Sequence, residues 1–325
     1  MAKEGNAAIA ELLDLIAYFY RLEKNTYRAL SYEKAAKAVG KHPYLILSGS
    51  QAKEEIRGIG ESIAEDIDLS LRKAPVPRLE GLKEKFQERI PVVELFAQLF
   101  GVGPVKANHY YDLGYRTLED LYFGTASLPP VLTAASRLSL QYRLQLALRI
   151  PRREIDLARE DIGQLFPASY LWEIAGSYRR GEADSGDIDL LLRAKDQEGR
   201  PVRLAEAVGS LRPLLVGDLA LGEVMYMGIL RLSPAWNFNA RRLDILLVPA
   251  ENWGPALLHF TGSREFNILL RQRAKDLGFS LNEKRLTGPL GPVPAESEEK
   301  IFALLGVKYL PPEGRVKGLD KLELD

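Results

Sequence analysis

The chain has 325 residues, with 44 basic and 44 acidic side chains, three histidines and no cysteine. That length supports more than one domain, each with its own core. The missing cysteines exclude disulfides, thiolate catalysis and Cys-ligated zinc, and a net charge of zero argues against holding nucleic acid by bulk charge alone.

The predicted elements run as follows. "AIAELLDLIAYFYRL" carries apolar residues at helical spacing, and "SYEKAAKAVGKHPYLI" opens on a Ser cap and stops near Gly40 and Pro43. Acids interrupt the apolar part of "MAKEGNAAIAELLDLIAYFY", so it does not read as a secretory leader. No apolar run reaches the ~18 residues of a membrane span. An intracellular location without a membrane partner is therefore expected. In "IRGIGESIAEDIDLSL" a turn at Gly58-Ile59-Gly60 leads into a helix. Pro and Gly in "RKAPVPRLEG" mark a junction near residues 74 to 81.

"LFGVGPVKANHYYDLG" repeats the small pattern: Gly101-Val102-Gly103, then a helix with Pro104 in its first turn. Gly-hydrophobic-Gly between helices suits a helix-hairpin-helix. The free N–H groups at the second helix can hold a phosphate oxygen without reading a base. A plain helical turn is the competing reading, and the second copy favours phosphate binding.

From about residue 151 the pattern becomes mixed α/β. "GDIDLLLRA" and "ARRLDILLVPA" are apolar strand-like runs broken by acids, "AEAVGSLRPL" reads as a helix between strands, and the last third as helix, turn, helix and a small strand. Strand residues i and i+2 share a face, ~6.6 Å apart, so Asp187 and Asp189 project together. Asp244 has the same setting, and adjacent strands would bring three carboxylates together. Such a cluster needs a cation, and hard oxygen donors select Mg²⁺ or Mn²⁺. The competing reading is an edge strand with solvated acids. "GSYRRG" just upstream weighs against it, because Gly176 and Ser177 offer phosphate donors, and Arg179 and Arg180 offer guanidinium groups. The chain has no P-loop motif.

"GSYRRGEADSGDIDLLL" closely resembles the palm motif of the family X DNA polymerases of the beta type. The resemblance extends to both glycine hairpins, "RIPRREI", "RRLDILLVP", "HFTGSREFNILLR" and "EEKIFALLGVKY". It implies an α+β multidomain fold: helical helix-hairpin-helix domains, a nucleotidyltransferase palm with a mixed sheet, and a small C-terminal α/β subdomain. The implied division is a lyase-like helical domain (1–80), a helical DNA-binding subdomain (81–149), a catalytic palm (150–250) and a nascent-base-pair subdomain (251–325). The length suits a minimal member without an appended nuclease or BRCT domain.

By resemblance the chain would be a monomeric gap-filling DNA-directed DNA polymerase of DNA repair. It would use dNTPs on gapped or primed DNA with two Mg²⁺ or Mn²⁺ ions, and a monovalent cation could sit at the hairpin turns. Asp187, Asp189 and Asp244 would hold the metals, and Asp244 would also help activate the primer 3′-hydroxyl. Arg149, Ser177, Arg180 and Gly186 would hold the triphosphate, and Phe260 and Gly262 would border the sugar. Asn267 would meet the minor-groove edge of the nucleotide. Arg242 would contact the primer end or hold Asp244, Arg271 would touch the template, and Gly58, Gly60, Gly101 and Gly103 would carry the DNA-binding turns. The expected compartment is the cytoplasm of a prokaryote or the nucleus of a eukaryote.

The sequence departs from the family in three places. His259 stands where many members have Tyr, which puts sugar discrimination in question. Arg264 replaces an acid beside the incoming base and could add affinity for nucleotide, a solvated arginine being the alternative. The lysines that serve the family's 5′-deoxyribose phosphate lyase align with Ser62 and Asp66, among the acids Glu54, Glu55, Glu61 and Glu65. A lyase amine needs a lowered pKa and a cationic pocket, so weak or absent lyase activity is expected, with Lys34 and Lys37 as the substitutes to test. Two other functions stay open. Template-independent nucleotide addition is disfavoured by the short connection before "RRLDILL". A non-catalytic DNA-end binder is disfavoured by the intact three-aspartate set.

Overall fold

The computed structural model describes residues 2–232, 239–316 and 321–324. The connection before "RRLDILL" falls largely on 233–238, outside the described residues. The chain folds as two compact units, 1–98 with 102–130, and 99–101 with 131–325.

The first unit is helical: α1 (Ala2–Leu22), α2 (Thr26–Lys41), α3 (Gly49–Glu55), α4 (Glu61–Leu71), α5 (Pro77–Phe86), α6 (Arg89–Ala97), α7 (Pro104–Leu113) and α8 (Leu118–Phe123). In α1, Ile9, Leu13, Ile16, Ala17 and Tyr20 fall on one face and are buried with Ala29, Tyr32, Ala35, Ala36 and Val39 of α2. The Asn25 side chain caps α2 by accepting from Arg28 N–H at 3.2 Å, and Ser48 caps α3 by accepting from Gln51 N–H at 3.1 Å. Gly49 lets α3 approach α4, because a Cβ there would lie 2.0 Å from the Ala64 carbonyl oxygen.

The second unit contains α9 (Ala134–Gln141), α10 (Arg143–Leu146), β1 (Ile150–Pro151), α11 (Arg152–Leu165), β2 (Trp172–Ile174), α12 (Gly176–Arg179), β3 (Asp184–Ser185), β4 (Ile188–Arg193) and α13 (Leu204–Ser210). It continues with β5 (Leu215–Leu221), β6 (Met225–Leu230), β7 (Arg241–Val248), α14 (Trp253–Thr261), α15 (Arg264–Asp276), β8 (Ser280–Leu281), β9 (Leu286–Gly288), β10 (Gly291–Val293) and α16 (Glu298–Leu304). The main sheet has the order β2-β4-β7-β6-β5. Only β4 and β7 pair in parallel, so the sheet is mixed.

β4 is an interior strand, which answers why its sequence is apolar on both faces. Leu190 and Leu192 pack with Ile155, Ala158 and Ile162 of α11 and Leu204, Ala207 and Val208 of α13. Leu191 faces the other way, into a cluster with Val248, Ala256 and Leu257. Asp189 shares that second face by strand alternation. Asp189 therefore does not lie on an edge strand, and the solvated-edge reading fails for it.

One buried ion pair fixes the start of β7. Arg241 makes a fork on Glu154 of α11, Nε to Oε1 at 2.7 Å and an η nitrogen to Oε2 at 2.8 Å, and both side chains are almost fully buried. Removing one partner strands the other charge in the core. Glu154→Ala is expected to destabilise the protein by about 3 kcal/mol, read as a lower denaturant midpoint; an unchanged midpoint would refute it.

The C-terminal part packs Phe266 and Leu270 of α15 against Ile301 and Phe302 of α16, beside the three-stranded sheet β10-β9-β8. Arg315 is fully buried, with its guanidinium 4.8 Å from the Phe266 ring centroid and hydrogen-bonded to Glu298 at 2.6 Å.

Candidate functional site

The parallel β4–β7 pairing places Asp189 directly across from Asp244, and Asp187 sits just before β4. Each of the three aspartates offers a carboxylate oxygen, and these oxygens lie within 4.8 Å of one another. Burial pushes the Asp189 carboxyl up to about 7, with Asp187 and Asp244 adding to the rise and Arg242 opposing it. Burial also raises Asp187, against the pull of Arg242. Arg242 grips Asp244 with a fork, Nε to Oδ1 at 3.1 Å and an η nitrogen to Oδ2 at 2.6 Å, and the latter nitrogen lies 3.7 Å from Asp187. Of the two roles implied for Arg242, the structure displays the grip on Asp244.

The short helix α12 of "GSYRRG" starts beside this cluster. Gly176 has φ +62, which favours glycine, and a Cβ there would come within 2.9 Å of Asp189 Oδ2 and push on that carboxylate. The Ser177 hydroxyl donates to the Ser185 hydroxyl at 2.8 Å. Arg149 stands against Gly186, with an η nitrogen 3.3 Å from where a Gly186 Cβ would lie. Arg180 reaches the end of α14 and donates to the Thr261 carbonyl at 2.6 Å. Arg179 turns elsewhere: it donates to the Thr261 hydroxyl at 2.9 Å and to both Glu298 oxygens at 3.0 and 2.9 Å. The expectation that both arginines serve phosphate is corrected for Arg179, whose guanidinium is committed to that buried carboxylate.

The residues expected at the incoming nucleotide cluster around the end of α14. The Asn267 amide donates to the His259 carbonyl at 2.8 Å, and an Arg271 η nitrogen lies 3.1 Å from His259 Nδ1. Arg271 is always a donor, so the imidazole accepts at Nδ1 and is neutral. Burial pushes the His259 pKa down, and the Arg271 charge adds to that. Arg271 also lies 3.6 Å from Glu283. Phe260 packs on the Leu191 and Val248 cluster, Gly262 takes φ +68, and Arg264 is exposed at the start of α15.

A model of the DNA polymerase beta palm matches residues 149–250, and one of the DNA polymerase beta thumb matches 256–316. A helix-hairpin-helix domain model matches 4–74, and one for the fingers domain of DNA polymerase lambda matches 94–138. The chain is 32% identical to DNA polymerase lambda of Rattus norvegicus over 336 residues, which covers 97% of this chain and 57% of that protein. It is 28% identical to DNA polymerase lambda of Arabidopsis thaliana over 337 residues, covering 95% of this chain and 62% of that one. The chain belongs to the family X DNA polymerases. It spans about three fifths of the length of these relatives.

The family X palm suggests use of a divalent metal, and the donor set suits one. Three hard carboxylates converge, and burial, with Asp187 and Asp244 adding to it, raises Asp189. In the hairpins, Gly58 has φ +100 and Gly101 has φ +72, while Gly60 and Gly103 are the extended caps of α4 and α7. A Cβ at Gly58, Gly60 or Gly103 would meet no atom within 4 Å. Backbone conformation accounts for Gly58 and Gly101. At Gly60 and Gly103, packing within the chain does not demand glycine.

Two acids of this region carry no signal in the sequence reading. Glu182 pairs with Arg180, and Asp184 pairs with Arg149. The only hint available from sequence is their position inside "GSYRRGEADSGDIDLLL", where they look like ordinary loop acids.

Proposed function

We propose that the chain is a DNA-directed DNA polymerase that fills short gaps by adding deoxynucleotides from dNTPs to a primer 3′-hydroxyl. The observation that carries this is the convergence of Asp187, Asp189 and Asp244 beside the start of α12, on a chain with a matching palm. The primer oxygen attacks the α-phosphorus, the bond to the β-phosphate oxygen breaks, and pyrophosphate leaves with its electron pair. Asp244, aimed by the Arg242 fork, helps draw off the hydroxyl proton. Arg149, Ser177, Arg180 and Gly186 hold the triphosphate, so that attack and departure stay in line. Two Mg²⁺ or Mn²⁺ ions bound by the three aspartates would supply Lewis-acid stabilisation to the developing charge.

The same reading takes the chain as a monomeric, intracellular repair enzyme with the four-part division at 80, 149 and 250. His259, Phe260, Gly262, Arg264 and Asn267 surround the nucleotide, Arg271 meets the template, and the hairpin glycines meet DNA phosphates. The test is primer extension on DNA with a one-nucleotide gap in Mg²⁺. One templated nucleotide should be added, and EDTA should abolish the addition. Extension that ignores the template base would favour terminal addition instead, and DNA binding without extension would leave an end-binding protein.

A further inference from the structure

Both arginines read above as triphosphate holders are already engaged by carboxylates of the 182–184 segment. Arg149 donates from Nε to Asp184 Oδ1 at 2.8 Å and from an η nitrogen to the Asp184 carbonyl at 3.1 Å. Arg180 donates from Nε to Glu182 Oε1 at 3.0 Å, and one of its η nitrogens bonds the same oxygen. Its other η nitrogen is on the Thr261 carbonyl.

These pairs follow from backbone register. The β1–β3 ribbon sets Ile150 opposite Ser185 and Pro151 opposite Asp184, and Arg152 N–H closes it on the Ala183 carbonyl at 2.8 Å. Arg149, one residue before β1, is thereby held beside Asp184. Glu182 is tied down by its own N–H, which donates to the Ser177 carbonyl at 3.1 Å. The loop is therefore folded back on the residues that would receive the nucleotide.

A carboxylate and a phosphate present the same kind of oxygen pair to a guanidinium fork. We infer that Glu182 and Asp184 are intramolecular competitors of the nucleotide's triphosphate, each occupying the arginine that a phosphate must take. The inference rests on the proposed role of Arg149 and Arg180. The two acids keep both arginines pointed at the site when no nucleotide is there, and they lower its affinity for nucleotide by the cost of displacing them.

The two competitors differ in strength. The Arg149 and Asp184 side chains are 56% and 49% exposed, so water already screens that pair. The Arg180 and Glu182 side chains are 12% and 33% exposed, and that contact is stronger.

Inorganic tripolyphosphate, titrated into the full chain without divalent ions and followed by calorimetry, tests this apart from catalysis. Glu182→Gln is expected to bind it about tenfold more tightly than the wild type, and Asp184→Asn about two- to fivefold. Each gain should vanish when the partner arginine is already gone, as in Glu182→Gln with Arg180→Ala and Asp184→Asn with Arg149→Ala. Variants that bind no tighter overturn the inference. So does a gain that survives loss of the arginine, since that is a general charge effect. If Arg149→Ala and Arg180→Ala bind tripolyphosphate as well as the wild type, the arginine assignment itself falls, and the competition with it.

Discussion

Asp189→Asn is expected to cut primer extension by about a thousandfold or more while the protein stays folded. Asn keeps the size of the side chain and removes its charge. The carboxylate sits on β4, an interior strand whose register places it across from Asp244, so backbone shifts cannot bring a substitute into its place. Loss of one ligand from a three-carboxylate cation site removes several kcal/mol of stabilisation from the charge that develops on the phosphoryl oxygens, and about 4 kcal/mol is a thousandfold. The same substitution should have the opposite effect on folding. The Asp189 pKa is raised from 3.8 to about 7 by burial and by its two acidic neighbours. A carboxyl whose pKa rises on folding favours the fold below its unfolded pKa, and that contribution is lost as the pH climbs through the folded value. Asn mimics the neutral form, so in EDTA at pH 8 the variant should melt above the wild type, with the gain shrinking as the pH falls below 7. A variant that extends primers normally would remove Asp189 from the chemistry. One that melts lower in EDTA would remove the electrostatic account of the cluster.

The three aspartates are legible in the sequence because they break a strong local rule. Ile188, Leu190, Leu191 and Leu192 are fully buried, and acids within such a run need a reason that period-two alternation can supply. The family resemblance is legible because its motifs recur in chain order. Partner choice between charged side chains is not legible in the same way. Arg179 and Arg180 are neighbours in "GSYRRG", yet one runs to Glu298, far along the chain, and the other to Glu182, two residues away. Nothing in the local pattern separates them, because the decision depends on where α16 arrives. Asp184 meets Arg149 only through the β1–β3 ribbon, and two-residue strands leave almost no periodic signal. The mutual contacts of His259, Asn267 and Arg271 raise the same difficulty. They are set by the geometry between α14 and α15, and a reading based on roles assigns each residue to the substrate separately.

The first helical domain should not form a borohydride-trapped adduct with a 5′-deoxyribose phosphate end. Trapping requires an imine between a lysine amine and the sugar aldehyde. At the aligned positions the chain has Ser62, which is exposed, and Asp66, which is 3% exposed. Asp66 is part of a satisfied buried cluster. It accepts from the Tyr32 hydroxyl at 2.6 Å and from Arg78 Nε at 3.0 Å. Burial, together with the bond to Asp66, raises the Tyr32 pKa, so the phenol stays protonated and donating. Where the family resemblance would put a nucleophilic amine, the chain thus has a carboxylate that cannot form an imine and is held on two sides. Lys34 and Lys37 are exposed on α2, 200° and 140° around the helix from Tyr32 at ~100° per residue, so neither shares the helix face that carries Tyr32 to this cluster. Asp66→Ala should leave the domain equally untrappable. It should also lower stability by about 3 kcal/mol, because Arg78 and the Tyr32 hydroxyl lose their shared acceptor. A wild-type adduct that disappears in Lys34→Ala or Lys37→Ala would show that a lysine outside the aligned positions has taken over the chemistry. A stable Asp66→Ala protein would show that the cluster does not hold the domain together.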